Sequence, residues 1–189
     1  ARLLADAVPL GTETVALGDA QGRVLAEDLI ALRTQPPEAV SAMDGYAVRA
    51  EDIANVPSDL TVIGEVAAGH PFSGTVGPGQ TARIFTGGVL PAGADTVMLQ
   101  ENVTVLGDDR VRSNQAEPHG KHVRDAGLDF RVDDTVLPAG TVFDAGAICL
   151  AAAANHPAVP VIRRPRVGVL ATGGELSRAA CQYRLGGLV

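Results

Sequence analysis

Three short stretches of this sequence set an acid or a hydroxyl beside glycines at the end of an apolar run. They are Asp44 in "SAMDGYAV", Thr86 in "ARIFTGGVLPAGADTV" and Glu175 in "VLATGGEL". Glycine lets backbone N–H groups come close to an anion, and successive N–H groups form an anion nest. Carboxylates beside such a nest can hold Mg²⁺, which then bridges to phosphate or oxyanion oxygens. Each stretch taken alone also has an ordinary reading. Asp44-Gly45 is a turn dipeptide, Thr86-Gly87-Gly88 fits a bulge, and Glu175 fits an acid in the first turn of a helix. On residue types alone they make a candidate anion or metal site and no more.

The other chemistry-bearing residues point elsewhere. His119 and His122 have an HxxH spacing, but a metal needs three or four convergent ligands and no Cys or third His is near. They read as surface residues. His70 and His156 sit beside prolines and read as turn residues. Cys149 lies in an Ala-rich helical pattern and reads as a buried small hydrophobe. Together with Cys181 it makes no disulfide framework. Nucleophile elbow, Walker loop and dinucleotide fingerprint are all missing.

The segments that must position these residues are mainly extended. "TETVALGDA" and "GRVLAEDLIA" read as two strands joined by a short turn, and the paired prolines of "RTQPPEAVSAM" favour an extended connection. From Gly45 to about Leu137, glycine and proline punctuate short β-rich runs, the pattern of an all-β barrel or clip. "VLPAG" occurs at 89–93 and 136–140 and reads as recurring turn chemistry. Asp144 is a predicted N-cap for a helix over about 145–154, and "AVPVI" is a predicted strand. "VGVLATGGEL" reads as the first strand and binding loop of an open α/β sheet. The 23 residues from Val167 to Val189 are too few to complete one, so the chain reads as truncated.

The expected architecture is therefore mostly β with some α. An elongated linker or dimerisation domain takes residues 1–42 and 138–165, an inserted β-domain takes 43–137, and 166–189 begin an α/β domain. Charge and composition narrow the function classes. A net charge of −7 disfavours nucleic acid, which clustered Lys and Arg would bind. The longest apolar run, Ala145 to Ala154, is half the length that crosses a bilayer, which disfavours a membrane partner. The N-terminus does not read as a signal peptide, so a cytoplasmic, reduced protein is expected. Aromatics are 3% of the chain, too few for a carbohydrate-stacking barrel.

In order and together, "PLGTETVAL", "GRVLAEDL", "SAMDGYAV", "GEVAAG", "GQTARIFTGGVLPAGADTVM", "PAGT" and "VPVIRRPRVGVLATGGEL" resemble the MoeA family, the molybdopterin molybdenumtransferases, to which the gephyrin E domain also belongs. The resemblance runs to Leu176. It implies an inserted β-domain acting as a lid and an α/β domain that binds the pterin. It also implies a homodimer whose cleft is shared between subunits. The implied reaction is insertion of molybdate into adenylylated molybdopterin, dependent on Mg²⁺, with release of AMP. By the same resemblance Asp44 and Glu175 are the catalytic and metal-holding carboxylates, and Thr86, Gly87, Thr172 and Gly173 bind substrate. The sequence departs from the family at Glu38-Ala39-Val40, where an acid and an Asn or Arg are usual. It departs again in the block Gly120–Asp129, where His122 stands for Asn and Leu128 for Glu. The isolated chain is expected to be an inactive portion of the enzyme. The competing expectation is a non-catalytic dimerisation or scaffold module.

Overall fold

The computed structural model describes residues 8, 10–168 and 170. Strands dominate, in the order β1 (Thr12–Ala16), β2 (Leu29–Ile30), β3 (Val40–Ser41), β4 (Gly45–Val48), β5 (Ser58–Val66), β6 (Gln80–Ile84), β7 (Thr96–Leu99), β8 (Val103–Gly107), β9 (Arg110–Ser113), β10 (Val123–Arg124), β11 (Thr135–Leu137) and β12 (Ala158–Ile162). The one α-helix described is α1 (Ala145–Ala153). The fold is mostly β with some α, as expected. Residues 171–189, and with them the expected α/β domain beyond its first residues, lie outside the described residues.

Strands β4 to β9 form one curled sheet in the order β7-β4-β6-β5-β9-β8. Only β5 and β6 run parallel; their neighbours are antiparallel. Side chains alternate between the faces of a strand, and both faces here are apolar. Ala47, Val66, Ala82, Ile84 and Val97 pack on one side. Val48, Leu60, Met98 and Val111 pack on the other, with Ile53. The outer edge of β7 is covered by the loop before β10, where the Val97 N–H donates to the Lys121 carbonyl.

The chain ends on either side of this sheet share a second core. β1 pairs with β12 antiparallel, Thr12 opposite Ile162, and β2 pairs with β11. Leu25, Leu29, Leu137, Phe143, Val159 and Val161 fill the space with the buried face of α1, Ala147 and Ala151. The Asp144 side chain accepts from the Ala147 N–H at 2.8 Å and caps the helix as its position predicted. Both "VLPAG" stretches make the same turn. Ala94 N–H bonds back to Pro91 and Thr141 N–H to Pro138, with Gly93 and Gly140 both at φ +85°.

Two expectations need correction. "GRVLAEDLIA" is a strand only at Leu29–Ile30. Its earlier backbone groups are divided between two partners: Leu25 N–H bonds Thr141, while Ala26 N–H bonds Pro160 and Val24 accepts from Ile162. The segment is wedged between two segments and cannot form a ladder with either. Cys149 is exposed, not buried. At about 100° per residue it stands roughly 200° from Ala147, on the opposite face of α1.

Candidate functional site

Asp44 occupies the turn between β3 and β4. The buried Ser41 holds the entry to that turn: its hydroxyl donates to the Met43 carbonyl at 2.6 Å and accepts from the Met43 N–H at 3.3 Å. Ser41 is also tied to the turn after β6, since its N–H donates to the Gly88 carbonyl and its carbonyl accepts from the Gly87 N–H, each at 2.9 Å. Gly87, at φ +81°, turns the chain there without a Cβ penalty. At the exit of the Asp44 turn, β4 passes so close to β7 that a Cβ on Gly45 would collide with the Met98 carbonyl oxygen. A side chain at 45 is therefore excluded by the neighbouring backbone.

These ties bring two of the three sequence motifs together. Asp44 Oδ1 accepts two hydrogen bonds from Thr86, one from its N–H and one from its hydroxyl, both at 2.8 Å. The backbone N–H of Thr86 is the main reason the Asp44 carboxyl is held below the usual aspartate range. The Thr86 hydroxyl and the positive charge of Arg83 act in the same direction, against a small opposing effect of desolvation. Asp44, Thr86 and Gly87 are all exposed, so the ionised carboxylate is presented to solvent. Glu175, Thr172 and Gly173 lie outside the described residues.

Four residues at the site were not singled out in the sequence. Arg83 lies opposite Tyr46 in the β4–β6 register. Its guanidinium carbon is 5.0 Å from the Tyr46 ring centre and 4.9 Å from that of Phe85. It donates to the Gly45 carbonyl at 3.2 Å and to the Gln100 side-chain oxygen at 2.6 Å. All four lie in or beside the quoted motifs or the β7 run. The missing signal was strand pairing, which decides that 46 faces 83.

His119 is exposed as expected, whereas His122 is half-buried against the buried Glu117 and is not the surface residue expected. His119 Nε2 lies 3.9 Å from an Asp95 oxygen and His122 Nε2 lies 4.0 Å from one of Glu117, so the two rings face different carboxylates. Among the described residues, no group of three or more His, Cys, Asp or Glu side chains could hold a metal ion. No helix among them is long and apolar enough to cross a membrane.

Comparison with known proteins adds a family to this geometry. A family model described as the MoeA N-terminal region (domain I and II) matches residues 1–155. A molybdopterin molybdenumtransferase from a Nostoc species is 43% identical over 169 residues, covering 87% of this chain and 38% of the relative. One from Haemophilus influenzae is 36% identical over 168 residues, covering 89% and 41%. A solved structure of the molybdopterin biosynthesis moeA protein of Pyrococcus horikoshii superposes with a TM-score of 0.87 at 36% identity, over 93% of this chain and 48% of that one. The chain thus spans about two fifths of the length of these curated relatives.

Proposed function

The chain belongs to the MoeA family, by its N-terminal region, and on that premise we propose that it carries the Asp44 side of a molybdenum-inserting site. The reaction is insertion of molybdate into adenylylated molybdopterin with release of AMP, in molybdenum cofactor biosynthesis. The observation that carries this reading is the Asp44 carboxylate, fixed through one oxygen by two Thr86 donors at an exposed turn. Such a group is pre-oriented and ionised before any ligand arrives, so no reorganisation is required at the moment of reaction.

Mg²⁺ suits this donor set in a limited way. It is commonly held by one or two carboxylates together with substrate phosphates and waters. Asp44 is one such carboxylate: no described residue donates a hydrogen bond to its second oxygen, Oδ2, which is free to meet a cation. Glu175 would be the second by family resemblance. A bound Mg²⁺ would supply positive charge between a phosphoryl group and an oxyanion. Thr86 keeps Asp44 aimed, and the Gly87 turn keeps Thr86 in reach of it.

The domain division follows the same reading. Residues 1–42 with 138–165 form the linker and dimerisation part, 43–137 form the lid, and 166–189 begin the pterin-binding part. Support comes from the core that the two outer pieces share, which β11 at the end of the middle segment joins through Leu137. The enzyme works as a homodimer. Here the support is three aliphatic side chains at least half exposed, Leu32, Leu128 and Val132, on segments that hydrogen-bond to each other.

The test is Asp44→Asn, Asp44→Ala and Glu175→Ala in the longest native form of the protein, with molybdate insertion and AMP release measured beside circular dichroism. The expected result is an intact fold and a loss of turnover of about a hundredfold or more. Turnover like that of the unmodified protein would sink the site. Failure of the unmodified protein to bind or convert adenylylated molybdopterin would favour the scaffold module.

A further inference from the structure

Among the described residues Arg83 makes no close ion pair, although Glu65 lies opposite it in the β5–β6 register. Its guanidinium is half-buried against two aromatic rings. Two of its five donors go to neutral acceptors instead, the Gly45 carbonyl and the Gln100 side chain. Gln100 in turn uses its backbone N–H, which donates to the Asp44 carbonyl at 3.3 Å. The contacts close a ring: Asp44 carbonyl, Gln100 backbone, Gln100 side chain, Arg83, Gly45 carbonyl. Both peptide carbonyls of the Asp44-Gly45 turn are inside it.

We propose that Arg83 is a positioning residue for Asp44, clamping the Asp44-Gly45 turn directly through Gly45 and indirectly through Gln100. The proposal rests on the reading of Asp44 as the working carboxylate. The geometry calls for arginine in particular. A planar fork can reach two acceptors at fixed separation while its face lies on an aromatic ring; an ammonium is a single point and cannot do both. The rings of Tyr46 and Phe85 lie within about 5 Å of the guanidinium and limit its freedom. The guanidinium charge acts on the Asp44 carboxylate, while Glu65, opposite it in the β5–β6 register, forms no ion pair with it. Arg83 and Tyr46 also line an open groove of about 530 Å³ with Val62, Glu65, Val105 and Asp108. A residue serving only that groove would have no need of Gln100, and this separates the two roles.

The experiment is residue-resolved amide hydrogen exchange on this chain and its variants Arg83→Gln, Arg83→Lys, Gln100→Ala and the double variant Arg83→Gln/Gln100→Ala. Thr86 N–H reports on Asp44 because it bonds to that carboxylate; Gln100 N–H reports on the ring itself. Arg83→Gln and Gln100→Ala are each expected to speed exchange at both amides about tenfold or more. The double variant should add little to either single change, and Arg83→Lys should fall between. Ala82, on the central strand β6, should keep its protection. Unchanged Thr86 exchange in Arg83→Gln would overturn the clamp. So would equal loss of protection along β4, β6 and β7, which is the signature of a merely structural arginine. Turnover of the longest native form separates the clamp from the function it serves: kcat should fall in Arg83→Gln with KM held. If Thr86 loosens while insertion proceeds at full rate, the clamp stands and the role of Asp44 falls.

Discussion

Gly45→Ala is the smallest change that should dismantle the site from outside it. The added methyl would run into the Met98 carbonyl oxygen and would also lie 3.3 Å from the Leu99 Cα. Both are backbone atoms, so no side chain can swing away. Restoring ordinary contact requires β4 and β7 to part by roughly 1.5 Å. Asp44 is the next residue, and its two bonds to Thr86 are 2.8 Å long. Adding that displacement takes them past the roughly 3.2 Å at which such hydrogen bonds end. Overpacking of this kind costs about 1–3 kcal/mol, which in a chain of this size lowers Tm by roughly 2–12 °C. A displacement of about 1 Å at a reacting group costs on the order of a hundredfold in rate. Thermal unfolding and molybdate insertion by the longest native form measure the two effects separately. The informative result is activity lost at a temperature where the variant is fully folded. Full activity with Tm unchanged would refute both the close approach at Gly45 and its link to Asp44.

Two further outcomes follow from the same contacts. Thr86→Val removes the hydroxyl donor and leaves the N–H, so the Asp44 carboxyl should titrate at higher pH, nearer the ordinary aspartate value of 3.8, by carboxyl-resolved NMR. Because the folded value is the depressed one, the associated stability is present above pH 3.8 and is lost as pH falls through the folded value; Thr86→Val should lose less there, and an unmoved titration would show that the hydroxyl bond contributes nothing. For the dimer, sedimentation of this chain at micromolar concentration should give two copies, and Leu128→Asp with Val132→Asp should give one; a monomer before substitution would refute the assembly.

The fold was legible where one local rule acted alone. Asp144 needed only the preference of a helix N-terminus for a side-chain acceptor, and the two "VLPAG" turns needed only Pro and Gly at fixed offsets. It was not legible where backbone partners decide. Val24 and Leu25 have strand-forming side chains, yet their hydrogen bonds go to segments more than a hundred residues later. Cys149 was misplaced because an Ala-rich helix gives no clear apolar stripe, so composition could not say which face is buried. Whether one face is buried depends on Phe143, Leu25 and Val159 reaching it from elsewhere.

His122 illustrates the limit at the site. Its identity departs from the family's Asn, and its backbone, at φ +59°, accounts for that exchange. The left-handed region accepts Asn and His more readily than most residues, so the exchange preserves the turn whose carbonyl receives the Ala42 N–H. What the position supplies is a carbonyl two residues before Asp44. The same holds for Gly45, Ser41 and Gln100, none of which carries a reactive group. Motifs 42 residues apart meet because β4 and β6 pair in one register. The reactive residue could be named from its type; the residues that aim it could be named only once the strands were paired.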